Sequence, residues 1–141
     1  MVSHITNSPQ ETQAIAANVA ATLKPGTCIA LDGQLGAGKT QFVRGLVVGL
    51  GGNSRDVSSP TFVLLNIYQT PKMPVYHLDA YRVAGADDLQ AIGFSELLEQ
   101  QGVVVIEWAG RVESLLPKDC IRINIEVEGE SQRSIDIERT V

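Results

Sequence analysis

Eight consecutive residues carry most of the chemistry legible in this chain. Gly33-Gln34-Leu35-Gly36-Ala37-Gly38-Lys39-Thr40 sets two glycines five apart and follows them with Lys and Thr, the pattern of a phosphate-binding loop. Glycines let a backbone curl around an anion with its N–H groups turned inward. A helix following the loop aims the positive end of its dipole at the same anion. Lys39 reaches the β- and γ-phosphates as a point charge, and the Thr40 hydroxyl is a ligand for Mg²⁺.

Such a site needs an acid to hold or orient the metal, usually at the end of an apolar strand. Two residues fit. Glu107 directly follows Val103-Val104-Val105-Ile106, and Asp79 follows Val75-Tyr76-His77-Leu78. In a parallel sheet the strand C-termini share one edge with the loop, so both carboxylates can point at the phosphates. The residues alone leave open which of them binds metal. His77 alternates with Asp79 and shares its strand face. It reads as a packed, hydrogen-bonded histidine rather than a base, and Trp108 as a core or site-wall residue. Ser59-Pro60-Thr61-Phe62 occupies the position of a switch segment, although a Pro turn opening a strand looks the same. No Asn-Lys-x-Asp guanine motif is present, which argues against a GTPase, and no Arg-rich lid is evident. Arg82 and Arg111 are isolated and read as surface salt-bridge partners.

The elements that must position these groups follow from spacing. Ser8-Pro9-Gln10-Glu11 is a capping box with Pro at the first helical position. Ile15, Val19 and Leu23 then give one apolar helix face, ended by Pro25-Gly26. Thr27 to Asp32 reads as a buried strand running into the Gly-rich turn. A second helix spans about Lys39 to Leu50, stopped by Gly51-Gly52. Asn53 to Pro60 is a polar loop. Phe62–Tyr68 and Val75–Leu78 are β-prone, Ala86–Gln100 is helical with a break at Gly93, and Val103–Trp108 is a buried strand. Ile121, Ile123, Ile125 and Val127 alternate with polar residues, as do Ile135 and Ile137, and the two runs predict an antiparallel hairpin. The expected fold is a single α/β domain over residues 1–141, with a mostly parallel sheet and that hairpin at one edge.

A length of 141 residues is one ordinary domain. Apolar residues make up 44% and charged residues 19%, which marks a globular chain rather than a disordered one. Sixteen acidic residues against 11 basic ones give a net charge of −5. That balance excludes a protein that grips nucleic acid or an anionic membrane by itself, since such binding rests on clustered cations. Cys28 and Cys120 show no metal-ligand spacing and read as reduced, partly buried thiols of a cytosolic protein. Lys24 is the first basic residue, so no charged secretory n-region precedes it. The longest aliphatic run, Val103–Ile106, is far short of the roughly 20 residues of a membrane helix. The expected location is cytoplasmic.

Four ordered segments go further: Gly33 to Arg44, Ser59 to Tyr68 (SPTFVLLNIY), Tyr76 to Val83 (YHLDAYRV) and Ile106 to Trp108 (IEW). Together they resemble the bacterial TsaE family, also called YjeE, across most of the chain. The resemblance implies a small P-loop α/β domain and an ATPase that takes part in making threonylcarbamoyladenosine in tRNA. It implies ATP and Mg²⁺ as cofactors, and TsaD and TsaB as partners that would make most of the tRNA contact. By the same resemblance Gly36, Ala37, Gly38, Lys39, Thr40 and Gln41 bind the nucleotide. Thr40 and Glu107 match the family's Mg²⁺ ligands, and Asp79 matches an acid that orients water or metal. Thr61 falls in a switch-like loop, and Thr12 and Arg133 match positions near the adenine. The chain departs from the pattern at Gln41, where a second Thr is frequent, at Ala80, and at Gly110, where an acid commonly follows Ile-Glu-Trp.

Catalytic roles are therefore expected at Lys39, Asp79 and Glu107, in slow hydrolysis that partners accelerate. Two rival readings use the same loop: a small-molecule kinase, and a nucleotide-dependent binding switch in which hydrolysis is incidental.

Overall fold

A computed structural model describes residues 1–34, 36–60, 64–81 and 83–139. The elements are β1 (Val2–Thr6), α1 (Pro9–Ala20), β2 (Cys28–Gly33), α2 (Lys39–Gly49), β3 (Leu65–Tyr68), β4 (Val75–Asp79), α3 (Ala86–Ala91), α4 (Phe94–Leu98), β5 (Val103–Glu107), β6 (Ile121–Val127) and β7 (Arg133–Glu138). Short 3₁₀ segments cover Ser54–Asp56 and Ala109–Leu115. The strands form one seven-stranded sheet in the order β1-β7-β6-β2-β5-β4-β3.

The four central strands, β6, β2, β5 and β4, run parallel. Antiparallel strands flank them: β3 on β4, and β7 then β1 beyond β6. The predicted C-terminal hairpin is present, but it is not the edge, because β1 adds a further strand outside β7. Exposed Val2 and Ile5 on a five-residue strand give no two-sided alternation, so β1 leaves little trace in the sequence.

Helices cover both faces, as parallel strands require. Alternate residues of each strand divide between two cores. Ile29, Leu31, Val103 and Val105 pack under α1 and α2 with Phe42, Val43 and Leu46. Cys28, Ala30, Val104, Ile106 and Leu78 pack under α3 and α4 with Leu89 and Phe94. Gly93, at φ +93°, separates the two short helices where the break was expected.

The expected cap forms on one side, and the Glu11 carboxylate reaches back one residue beyond the N-cap N–H of a capping box. Glu11 N–H donates to Ser8 Oγ at 3.1 Å, and Glu11 Oε1 accepts from Asn7 N–H at 3.3 Å. Helix α2 lies unusually close to α1: a Cβ on Gly45 would meet Gln13 O at 2.3 Å and Ala16 Cβ at 2.6 Å. Cys28 and Cys120 are buried free thiols on the β2 and β6 sides of one register. Among the described residues no helix is long and apolar enough to cross a membrane.

Candidate functional site

Strand β2 delivers the chain to the sheet's C-terminal edge, where the loop turns into α2. Gly36 and Gly38 have φ of +80° and +105°, backbone that side chains rarely adopt. Nothing lies within 4 Å of a Cβ built on either. It is the backbone conformation that demands glycine there, and the open side is available to a ligand. Gly38 is the N-cap of α2 and has no capping side chain. The first turn of a helix leaves its N–H groups without intrahelical partners, and here they face the cavity together with the positive end of the dipole. Leu35 lies outside the described residues.

The cavity has a volume of about 450 Å³, within the range of sites that enclose small ligands. Gly36, Ala37, Gly38, Lys39, Thr40 and Gln41 line it together with Ser59, Glu107 and Trp108. The rest of the lining comes from the start of α1 (Ser8, Pro9, Thr12), the β6–β7 turn (Glu130, Ser131) and Arg133 at the start of β7. The structure thus gathers Thr12, Gly36 to Gln41, Glu107 and Arg133 around one space. Thr61 lies outside the described residues, as does Arg82.

Register places the acids. Asp79 pairs with Glu107 across β4 and β5. Both alternate with Val75, Val103 and Val105, so their side chains emerge on the α2 face of the sheet. Both are nearly fully buried, at 2% and 4% exposure. Glu107 Oε1 stands 3.5 Å from Lys39 Nζ, and Glu107 Oε2 is 2.5 Å from His77 Nε2. Asp79 does not line the cavity. Its Oδ1 accepts from Tyr81 N–H at 2.8 Å, while Oδ2 is buried without a hydrogen-bond partner.

Lys39 is the second such orphan. It is buried, and Nζ has an ion pair but no hydrogen bond. Nζ also sits 4.4 Å from the centroid of the Trp108 ring. Trp108 itself adopts φ +58°, a costly conformation for a bulky residue of the kind that collects at functional sites. Its ring packs against Tyr81 at 5.0 Å, and Arg111 lies over Tyr81 at 5.3 Å. Arg111 is therefore placed on an aromatic face rather than in the ion pair expected of it.

Arg133 does something the spacing did not foretell. Its Nε and Nη2 donate to the carbonyls of Ala37 and Gly36, at 3.1 and 3.3 Å. Nη1 donates to carbonyls of the β6–β7 turn at Gly129, Glu130 and Gln132. The guanidinium clamps the glycine-rich loop to the hairpin. Thr12 Oγ1 is buried 2.8 Å from Thr6 Oγ1, so the end of β1 also braces this wall. Neither contact follows from a local pattern, because both depend on strands meeting across the whole chain.

The residues fit a Mg²⁺-nucleotide. A buried ammonium with an ion pair but no hydrogen bond and an open glycine cradle on the same cavity are suited to a polar, anionic ligand. Carboxylate and hydroxyl oxygens are the ligands Mg²⁺ takes beside phosphates. Burial pushes the Asp32 carboxyl up, opposed by a hydrogen bond from Ala109 N–H and by the charge of Lys39.

Residues 6–135 match the model of a family described as "Threonylcarbamoyl adenosine biosynthesis protein TsaE". A protein of Bacillus subtilis named tRNA threonylcarbamoyladenosine biosynthesis protein TsaE is 42% identical over 130 residues, covering 92% of this chain and 80% of its own. A protein of the same name from Rickettsia prowazekii is 38% identical over 136 residues, covering 96% and 94%. The crystal structure of Bacillus subtilis YdiB superposes with a TM-score of 0.81 at 35% identity, over 99% of this chain and 86% of that one.

Proposed function

The chain belongs to the TsaE family, whose members take part in tRNA threonylcarbamoyladenosine biosynthesis, and from that membership we propose that it is the Mg²⁺-dependent ATPase of the pathway, working with TsaD and TsaB. The observation that carries the ATPase reading is Lys39. Its ammonium is buried, lacks a hydrogen bond, and stands at the base of α2 beside a buried glutamate.

In this reading Lys39 leaves Glu107 and holds the β- and γ-phosphates. The N–H groups of Gly36 to Gln41 complete the cradle. Thr40 and Glu107 hold Mg²⁺, which when bound neutralises charge developing on the phosphoryl oxygens. Asp79 Oδ2 is the free acceptor that orients water, directly or through another water, for in-line attack on the γ-phosphate. Thr12 and the β6–β7 turn enclose the base. Stabilising charge in place, rather than covalent chemistry, is what such a site supplies.

Among the described residues the cations lining the cavity are Lys39 and Arg133, and Arg133 already donates to five carbonyls. With no free arginine among the described residues aimed at the phosphates, hydrolysis by the chain alone should be slow. The test is Mg²⁺-dependent ATP hydrolysis with and without TsaD, TsaB and tRNA. Stimulation by the complex is expected. Fast isolated turnover that partners leave unchanged would refute the reading. A Glu107→Ala chain that binds ATP, does not hydrolyse it and still supports the modification would instead favour the switch.

A further inference from the structure

Glu107 faces a problem when nucleotide arrives. Its carboxylate is held from two sides, by Lys39 Nζ at 3.5 Å and by His77 Nε2 at 2.5 Å. To reach a phosphate, Lys39 must turn away from Oε1. That same departure would free the carboxylate to change rotamer just when it is needed as a metal ligand.

His77 cannot move away in the same manner. Its ring is fully buried on β4, on the sheet face it shares with Val75 and Asp79. Since an ionised carboxylate accepts, the ring donates from Nε2 to Oε2. On its far side Nδ1 lies 3.0 Å from the Tyr68 hydroxyl. Tyr68 is in turn tied to the backbone of Ser58: its hydroxyl is 2.7 Å from Ser58 O and accepts from Ser58 N–H at 3.3 Å. Asn66 Nδ2 donates to the same Ser58 carbonyl at 3.2 Å. The result is a rod running from the polar loop through β3 and β4 to the carboxylate.

We propose that His77 is a positioning residue, which with Tyr68 behind it fixes Glu107 Oε2 so that Oε1 can pass from Lys39 to the metal without the carboxylate turning. This inference rests on the ATPase reading. It adds that metal affinity, and not nucleotide affinity, depends on a histidine that touches neither ligand. It also makes the position of Ser58 something Glu107 senses, since the two are linked through two side chains. Burial pushes the Tyr68 phenol above its ordinary value, which keeps the rod's hydroxyl protonated.

The measurement separates metal from nucleotide. ADP binding is followed through the fluorescence of Trp108, the single tryptophan, first with metal chelated and then with increasing Mg²⁺. The half-saturating Mg²⁺ for ATP hydrolysis is taken in parallel. Tyr68→Phe and His77→Ala should leave metal-free ADP affinity within about threefold, and raise half-saturating Mg²⁺ by about 10-fold or more in both assays, the usual cost of losing a ligand's outer partner. His77→Gln, which restores a donor near Nε2, should recover part of that loss.

If His77→Ala fails to fold, Tyr68→Phe decides alone, since it removes one hydroxyl and leaves the histidine. Unchanged Mg²⁺ dependence in folded variants would overturn the inference while leaving the ATPase reading intact. So would metal-free ADP affinity falling as far as metal affinity, the mark of general damage. A wild-type chain showing neither Mg²⁺-sensitive ADP binding nor hydrolysis would overturn the ATPase reading and this inference together.

Discussion

Replacing Gly45 with alanine puts a methyl group 2.3 Å from the Gln13 carbonyl oxygen, 2.6 Å from Ala16 Cβ and 2.7 Å from Gln13 Cα. Two of these are backbone atoms of α1, which cannot swing aside as a flexible side chain would. Bringing the shortest contact out to 3.0 Å takes a retreat of about 0.7 Å. Overpacking of this kind costs about 1–3 kcal/mol. Against it stands the gain of alanine over glycine in a helix interior, about 1 kcal/mol. Because two of the contacts are to backbone, the upper part of the overpacking range, about 2–3 kcal/mol, applies, so the clash wins by about 1–2 kcal/mol, or a melting temperature lower by roughly 3–8 °C at this chain length. Circular dichroism melts measure it, with Gly110→Ala as the control, because nothing lies within 4 Å of a Cβ there. That change should stay within about 0.5 kcal/mol of the parent. Because α1 carries Thr12, Gly45→Ala should also weaken ATP binding more than Gly110→Ala does. A Gly45→Ala chain that melts at or above the parent would refute the packing argument.

Three more outcomes are expected. In ATP titrations Lys39→Ala should lose affinity, as the phosphate's charge partner is removed, whereas Asp79→Ala should keep affinity and lose hydrolysis rate; equal losses of affinity would contradict the role given to Asp79. Burial raises the Asp32 carboxyl, so its ionised form costs stability above its folded pKa, and the cost is relieved as pH falls through that value. Asp32→Asn should therefore raise the melting temperature at pH 7 to 8, with the gain shrinking toward pH 4, and a gain independent of pH would contradict that sign. The Cys28 thiol is pushed up by its hydrogen bond with Cys120 and then by burial, and the same bond lowers Cys120. Both side chains are nearly inaccessible, so a thiol-specific disulfide reagent at pH 8 should react at the rate of unfolding, and prompt reaction of the native chain would show otherwise.

The sequence announced the loop and its helix because the chemistry there is contiguous. Gly36, Gly38, Lys39 and Thr40 must be neighbours to do their work, so spacing alone locates them. The unbroken Val103–Ile106 run likewise exposed β5, and Glu107 at its end followed. What stayed hidden depends on residues brought together across the sheet. Arg133 reads as one more cation in an alternating strand until the fold brings it against Gly36 and Ala37. His77 shows a shared face with Asp79, but its bond to Glu107 needs the β4–β5 register. Strand β1 is short and exposed, and its partner lies at the other end of the chain. Asp79 was reachable as an acid at a strand end, but its displacement from the cavity wall was not.

The pairing of β1 with β7 has a consequence for how the molecule comes into being. Val2 to Thr6 find their partners in Arg133 to Ile137, so β1 is made well before the strand it pairs with. At ordinary elongation rates that delay is roughly 10 s. Throughout it the nascent chain carries β1 as an unmated strand, and β6, once made, has a bare flank until β7 emerges. The arginine that secures the glycine-rich loop arrives with β7. The clamp that Arg133 places on Gly36 and Ala37 therefore cannot close until β7 has been made.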